Sequence, residues 1–188
     1  MSRIEQKAGN VYEEFFNLPD NVVGEIINGQ LHTQPRPAPK HALTASYLGG
    51  DLVGPYGKGK GGPGGWWILD EPEIHLGEDI VVPDIAGWKK ERMPRLPETA
   101  FFSLSPDWVC EVLSQSTARK DRIEKMPLYG KHGVPYIWLV DPVLETLEAY
   151  RLGERYWQLI GTFSESDHVS VEPFKDISID LSMLWEVD

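Results

Sequence analysis

Residues 107–141 read DWVCEVLSQSTARKDRIEKMPLYGKHGVPYIWLVD, and the order of patterns within them decides the fold. DWVCEVL is an apolar run of buried-strand length, TARKDRIEKMPLYGKHG has helix-like spacing ending at Gly133, and VPYIWLVDP is a second apolar run. The crossover from Ser114 to Val134, about twenty residues, is long enough to join parallel strands, and such crossovers are nearly always right-handed. Downstream, ETLEAYRL and RYWQLI, joined at Gly153 and Glu154, read as an antiparallel hairpin.

Upstream, WWILDEPEIHL reads as a strand with a turn or bulge at Glu71 and Pro72, followed by the strand of Asp84 in DIVVPDIAGW. Pro83 cannot donate a ladder hydrogen bond, which places Asp84 at a strand start or beside a bulge. NVVGEIINGQLHT reads as a tight hairpin about Asn28 and Gly29, with Glu25 in its first strand. VYEEFFNL (11–18) has helical spacing before Pro19, Pro35, Pro37 and Pro39 break regular structure, and KHALTASYLGGDLV is a helix weakened at Gly49 and Gly50. GPYGKGKGGPGG (54–65) is an exposed connection. It lacks the GxxxxGK[ST] order of a phosphate loop. The tail from Phe163 to Asp188 is acidic and weakly patterned, with strand or turn signals at HVSVEP and ISIDLSMLW. A mixed sheet with helices, of α/β or α+β type, follows.

Three charges sit where this pattern should carry none: Asp84 and Glu111 inside apolar strands, and Lys125 on the crossover helix. An ionised group in such a place costs several kcal/mol unless it is paired or coordinated. A divalent metal suits two carboxylates. Strand alternation turns Glu111 toward the face of Val109 and Leu113, away from Cys110 and Val112. A helix starting near Thr117 runs back antiparallel to the strand, so Lys125 lies about 12 Å back along it. Glu111 lies about 10 Å back from Ser114 along the strand. The two share a depth, and the ammonium can approach the carboxylate. Asp121, Lys125 and Tyr129 recur at four-residue spacing on one helix face. A surface Asp121–Lys125 pair worth a few tenths of a kcal/mol is the plainer alternative. Pro127 predicts a kink nearby.

Length and charge bound the function. The 188 residues, 41% hydrophobic and 25% charged, suit one well-cored domain. No long apolar run or secretory leader is present, which predicts a soluble, cytoplasmic protein without a membrane span. The single Cys110 excludes an internal disulfide and reads as a buried thiol. The five histidines show no paired zinc spacing and read mostly as surface residues, and the seven tryptophans read as core or oligomer packing. A net charge of -11 argues against a general nucleic-acid coating protein but leaves room for a locally basic cleft.

VVPD, VCEVLS, DRIEKMPLY and HGVPYIWLVDP, in this order, resemble the Uma-two type family classed with restriction endonucleases, a branch of the PD-(D/E)XK phosphodiesterase superfamily. The resemblance extends from the Glu25 strand to about residue 160, within a single domain whose core spans about 11–160. It implies a restriction-endonuclease-like mixed central sheet flanked by helices, and Asp84 and Glu111 as the superfamily's acidic pair. The superfamily's lysine two residues after the acid is Leu113 here, and Lys125 matches the place to which the family has moved it. Glu25 corresponds to the family's early glutamate. Ser114 and His41 stand at family-typical positions that capping and packing explain equally well. The resemblance further implies Mg²⁺ or Mn²⁺ held by Asp84, Glu111, the Val112 carbonyl and Glu25, with Lys125 beside the reacting phosphate. The implied partner is nucleic acid, DNA in particular, cut by a homodimer matched to duplex symmetry. The alternative is a non-catalytic binding or assembly protein that retains the fold.

Overall fold

The computed structural model describes residues 11–19, 21–34 and 37–185; the expectations for the leader region 1–10 and for Pro35 lie outside these. The opening helix, α1, covers 11–16 and ends before Pro19. β1 (Val23–Ile27) and β2 (Gln30–Gln34) form the expected hairpin. Its turn residues Asn28 and Gly29 have φ of 51° and 72°, the conformation a two-residue type I′ turn demands. Nothing approaches a Cβ built on Gly29, so Gly29→Ala tests backbone strain alone. A loss of about 1–2 kcal/mol in unfolding free energy, read from the urea midpoint, is the expected result.

Helix α2 (Pro39–Leu52) passes through Gly49 and Gly50 without interruption, because its Leu48 and Leu52 are fully buried against the sheet. The chain then widens into a π-helical turn at Val53–Gly57 that buries Tyr56. The exposed connection therefore begins later than its glycine and proline content suggests.

The main sheet contains β3 (Trp66–Asp70), β6 (Ile85–Lys89), β7 (Trp108–Val112), β8 (Tyr136–Asp141), β9 (Thr146–Leu152) and β10 (Trp157–Ser164). Its order is β10-β9-β8-β7-β6-β3, with β7 and β8 parallel and the remaining neighbours antiparallel. A smaller sheet joins β1 and β2 to β4 (Ile74–Leu76) and β5 (Asp79–Val81), in the order β2-β1-β5-β4. The crossover helix, α3, comprises Ala118–Lys120, a π-helical turn Asp121–Lys125, and Met126–Lys131. Gly133 follows it at φ 71°, the left-handed stop expected there.

Alternation along β7 feeds two cores, one on each face, as a covered parallel pair requires. Trp108, Cys110 and Val112 join α2, Trp138 and Val140 in one; Val109 and Leu113 join Leu128, Tyr129, Ile137 and Leu139 in the other. Cys110 is a buried free thiol. The tail is structural. β11 (His168–Val169) pairs with β12 (Ile179–Asp180), α4 (Ser182–Trp185) follows, and Phe174 is fully buried against Tyr56, Trp66, Trp108 and Trp138, with ring centroids 4.6 to 5.5 Å apart. Trp66, Trp88, Trp108, Trp138 and Trp185 are all buried, in keeping with a packing role. Among the described residues no helix is long and apolar enough to cross a membrane.

Candidate active site

Asp84, Glu111 and Lys125 reach one place from three elements. Asp84 immediately precedes β6, after a proline that cannot extend the ladder, and its Oδ2 accepts a 2.7 Å hydrogen bond from the Val112 backbone N–H. Glu111 lies in β7 and points into the apolar layer between the sheet and α3. Lys125 closes the π-helical turn of α3. Its Nζ is 2.8 Å from Glu111 Oε1 and 2.9 Å from Oε2.

Pro127 explains the helix geometry. A proline cannot donate to the turn behind it, and its ring crowds the carbonyl of Ile123. The chain meets this by widening the preceding turn, with the Met126 N–H bonded to the Asp121 carbonyl, and the helix resumes over Met126–Lys131. The wide turn directs both Asp121 and Lys125 inward, with 2% and 1% exposure. A solvent-exposed Asp121–Lys125 pair is thereby excluded.

Glu25 enters the same cluster. It is fully buried on β1, with Oε1 2.8 Å from Lys125 Nζ and 3.0 Å from the Val82 N–H, and Oε2 2.6 Å from Lys120 Nζ. Lys125 also donates to the Val82 carbonyl at 3.3 Å. The Tyr129 hydroxyl donates to Glu111 Oε1 at 2.6 Å, so the shared helix face extends to a hydrogen-bonded tyrosine. On the far side, His41 in the first turn of α2 places Nε2 3.4 Å from Asp84 Oδ1. Ser114 is taken up by hydroxyl and backbone bonds to Ser116 and Thr117 at the start of α3, which is a local structural role. His32, His41, His75 and His132 are half-buried and only His168 is exposed, which corrects the expectation of mostly surface histidines.

The electrostatics show a cluster short of positive charge. Burial pushes the Glu111 carboxyl well above the usual carboxylate range; Lys125 opposes this, while Asp121, Asp84 and Glu25 add to it. Asp121 is raised chiefly by burial. Burial works against the Lys125 ammonium as well, yet Glu111 and Glu25 outweigh it and hold its pKa well above the lysine range. Burial would raise Glu25 too, but Lys125 and Lys120 bring it down to about 2. For His41 burial disfavours the cation, and Asp84 with the Val112 carbonyl reverses that and raises its pKa.

This donor set fits a hard divalent cation. Burial raises the Glu111 carboxyl, and Asp121, Asp84 and Glu25 add to that rise against Lys125, so a further positive charge beside these oxygens would be favourable. Among the described residues no three Asp, Glu, His or Cys side chains are grouped to cage an ion by themselves. That spacing leaves a metal dependent on backbone carbonyl, water and phosphate oxygens for its remaining ligands, as Mg²⁺ prefers. Sequence reasoning missed Lys120, which lies far from Glu25 in the chain and meets it only through the fold.

The central mixed sheet flanked by helices is a nuclease-like fold. Residues 12–183 match the family described as "Uma2: Putative restriction endonuclease", and the chain belongs to that family. The match takes in the tail, past the limit near residue 160 that the sequence motifs suggest. The crystal structure of "a putative nuclease belonging to DUF820" from Anabaena variabilis ATCC 29413 is similar, with 25% identity and a TM-score of 0.74. The likeness covers 93% of this chain and 97% of that one. No curated protein matches the chain.

Proposed function

We propose that the protein is a metal-dependent endonuclease that hydrolyses phosphodiester bonds of DNA. The observation that carries this reading is Lys125 Nζ at 2.8 Å from Glu111, beside an Asp84 aligned by the Val112 N–H. Asp84, Glu111 and the Val112 carbonyl would hold Mg²⁺ or Mn²⁺, with Glu25 a further candidate whose oxygens now face the two lysines. When bound, the ion lowers the pKa of a water and offsets charge on the scissile phosphate. Lys125 keeps its proton, so it acts as a donor and a fixed positive charge near the phosphoryl oxygens and not as the base. Tyr129 and Lys125 fix the Glu111 carboxylate, and His41 restrains Asp84. α3 carries Arg119, Lys120, Arg122, Lys125 and Lys131 against Asp121 and Glu124, a locally basic element on an acidic chain. Lys120, Lys125 and Arg122 are engaged by Glu25, Glu111 and Glu148, which leaves the exposed Arg119 and Lys131 to offer the polyanion an approach that the net charge of -11 otherwise opposes.

A second reading, a non-catalytic binding or assembly protein, is favoured by one contact set: both Glu111 oxygens are engaged, by Lys125 and by Tyr129. Plasmid cleavage separates the two. Supercoiled DNA is expected to be nicked with Mg²⁺ or Mn²⁺, to survive in EDTA, and to survive with Asp84→Asn in either metal. Equal cleavage by the parent and Asp84→Asn places the activity elsewhere, and no cleavage by either supports the second reading.

A further inference from the structure

We propose that the glycine-rich loop 54–65 and the end of β6 together form a surface that holds the phosphate backbone of duplex DNA, apart from the candidate active site. The two segments are distant in sequence and tied in the fold: the Lys90 N–H donates to the Gly65 carbonyl at 2.8 Å, and Lys90 Nζ to the Gly57 carbonyl at 3.0 Å. Lys58 and Lys60 on the loop and Lys89 at the strand end are exposed. Among the described residues none of these three, nor Lys90, is in an ion pair, whereas Lys40, Lys120 and Lys125 each face a carboxylate. Of the acids nearby, Asp107 is buried and pairs with Arg92 at 3.0 Å, and Asp176 meets the Tyr56 hydroxyl with Lys175 beside it in sequence. Glu91 is exposed. Lys58, Lys60, Lys89 and Lys90 therefore stand against Glu91, a local excess of positive charge on a chain of net charge -11.

A phosphate backbone fits this surface better than a lipid headgroup layer does. Membrane-surface binding needs aromatic or leucine side chains that can insert, yet Trp66 is buried beneath Lys89. The indoles serve the lysines instead. Lys90 Nζ lies 4.4 Å from the Trp67 ring centroid and Lys89 Nζ 5.7 Å from that of Trp66, which reduces the rotamer freedom that a phosphate contact would cost. On the loop, nothing lies within 4 Å of a Cβ built on Gly61 or Gly65, so a phosphate can approach the main chain closely there. β6 runs from Ile85, next to Asp84, to Lys89, which sets the surface about 17 Å from Asp84, roughly five base-pair rises of a duplex. It adds affinity without reaching the chemistry. The proposal rests on the reading of DNA as the partner, though not on the chain cutting it.

Fluorescence anisotropy of a dye-labelled DNA duplex longer than that span, in EDTA so that binding is read without cleavage, tests it. The parent is expected to bind with an affinity that falls as salt rises. Lys58→Gln/Lys60→Gln/Lys89→Gln is expected to bind about tenfold more weakly or worse at low salt, with a log–log salt slope smaller by about three and an unchanged circular dichroism spectrum. A variant that binds as the parent does overturns the surface, and it does so alone if Asp84→Asn still abolishes plasmid cleavage. A parent that binds no duplex, or that uses these lysines only on phosphatidylserine vesicles, overturns it as well. Should the triple variant lose its fold, Lys58→Gln/Lys60→Gln, confined to the loop, decides instead: a slope smaller by about two supports the surface and an unchanged slope overturns it.

Discussion

Lys125→Ala is expected to lower the unfolding free energy by about 3–5 kcal/mol, the cost of leaving a buried charge without its partner. The Lys125 side chain is 1% exposed and within 2.8 Å of both Glu25 and Glu111. Its removal leaves Glu111 with Tyr129 as its remaining hydrogen-bond donor, while Glu25 retains Lys120 and the Val82 N–H. A surface lysine at this position would cost no more than about 0.5 kcal/mol. Urea denaturation distinguishes the two magnitudes. The double variant Lys125→Ala/Glu111→Gln is expected to be less destabilised than the sum of its single changes, because a neutral amide in place of the carboxylate no longer needs a cation. Strict additivity would show that the two groups do not interact.

Glu111→Gln is expected to reduce metal-dependent cleavage by roughly 10²–10³, the range for losing one preorganised electrostatic group, while leaving the fold intact. The amide keeps the shape and an oxygen able to accept from Tyr129. It removes a carboxylate whose burial already favours its neutral form, so the thermal midpoint should hold or rise. Activity lost with stability retained marks a group kept for chemistry. A large loss of stability, or cleavage within a few-fold of the parent, would assign Glu111 to the framework. Cleavage kinetics and a melting curve on one preparation supply both readouts.

The strand, helix and strand between Trp108 and Asp141 were legible because period-two and helical patterns sit side by side there and a parallel crossover leaves few topologies. The proximity of Lys125 to Glu111 followed from rise per residue alone. Residue 113 is Leu, so the lysine had to be sought by depth and not by strand spacing. The π-helical turn was not legible: a proline announces that a helix must adjust, but whether it kinks or widens depends on what the turn can bury. Here the turn before Pro127 is wide and carries Asp121 and Lys125 inward. Lys120 was hidden for a related reason, since Glu25 meets it across the fold with no local signal. In the tail, Phe174 has few apolar neighbours in sequence, yet its ring closes the aromatic core. Local patterning understates a residue whose contacts are all distant.

Calorimetric titration with Mn²⁺ probes the shared site most directly, because it needs neither substrate nor turnover. The parent is expected to bind the ion, and Asp84→Asn and Glu111→Gln each to lose that binding while keeping the parent's circular dichroism spectrum. A parent that binds no Mn²⁺, or variants that bind it as the parent does, would contradict a metal site built on Asp84 and Glu111.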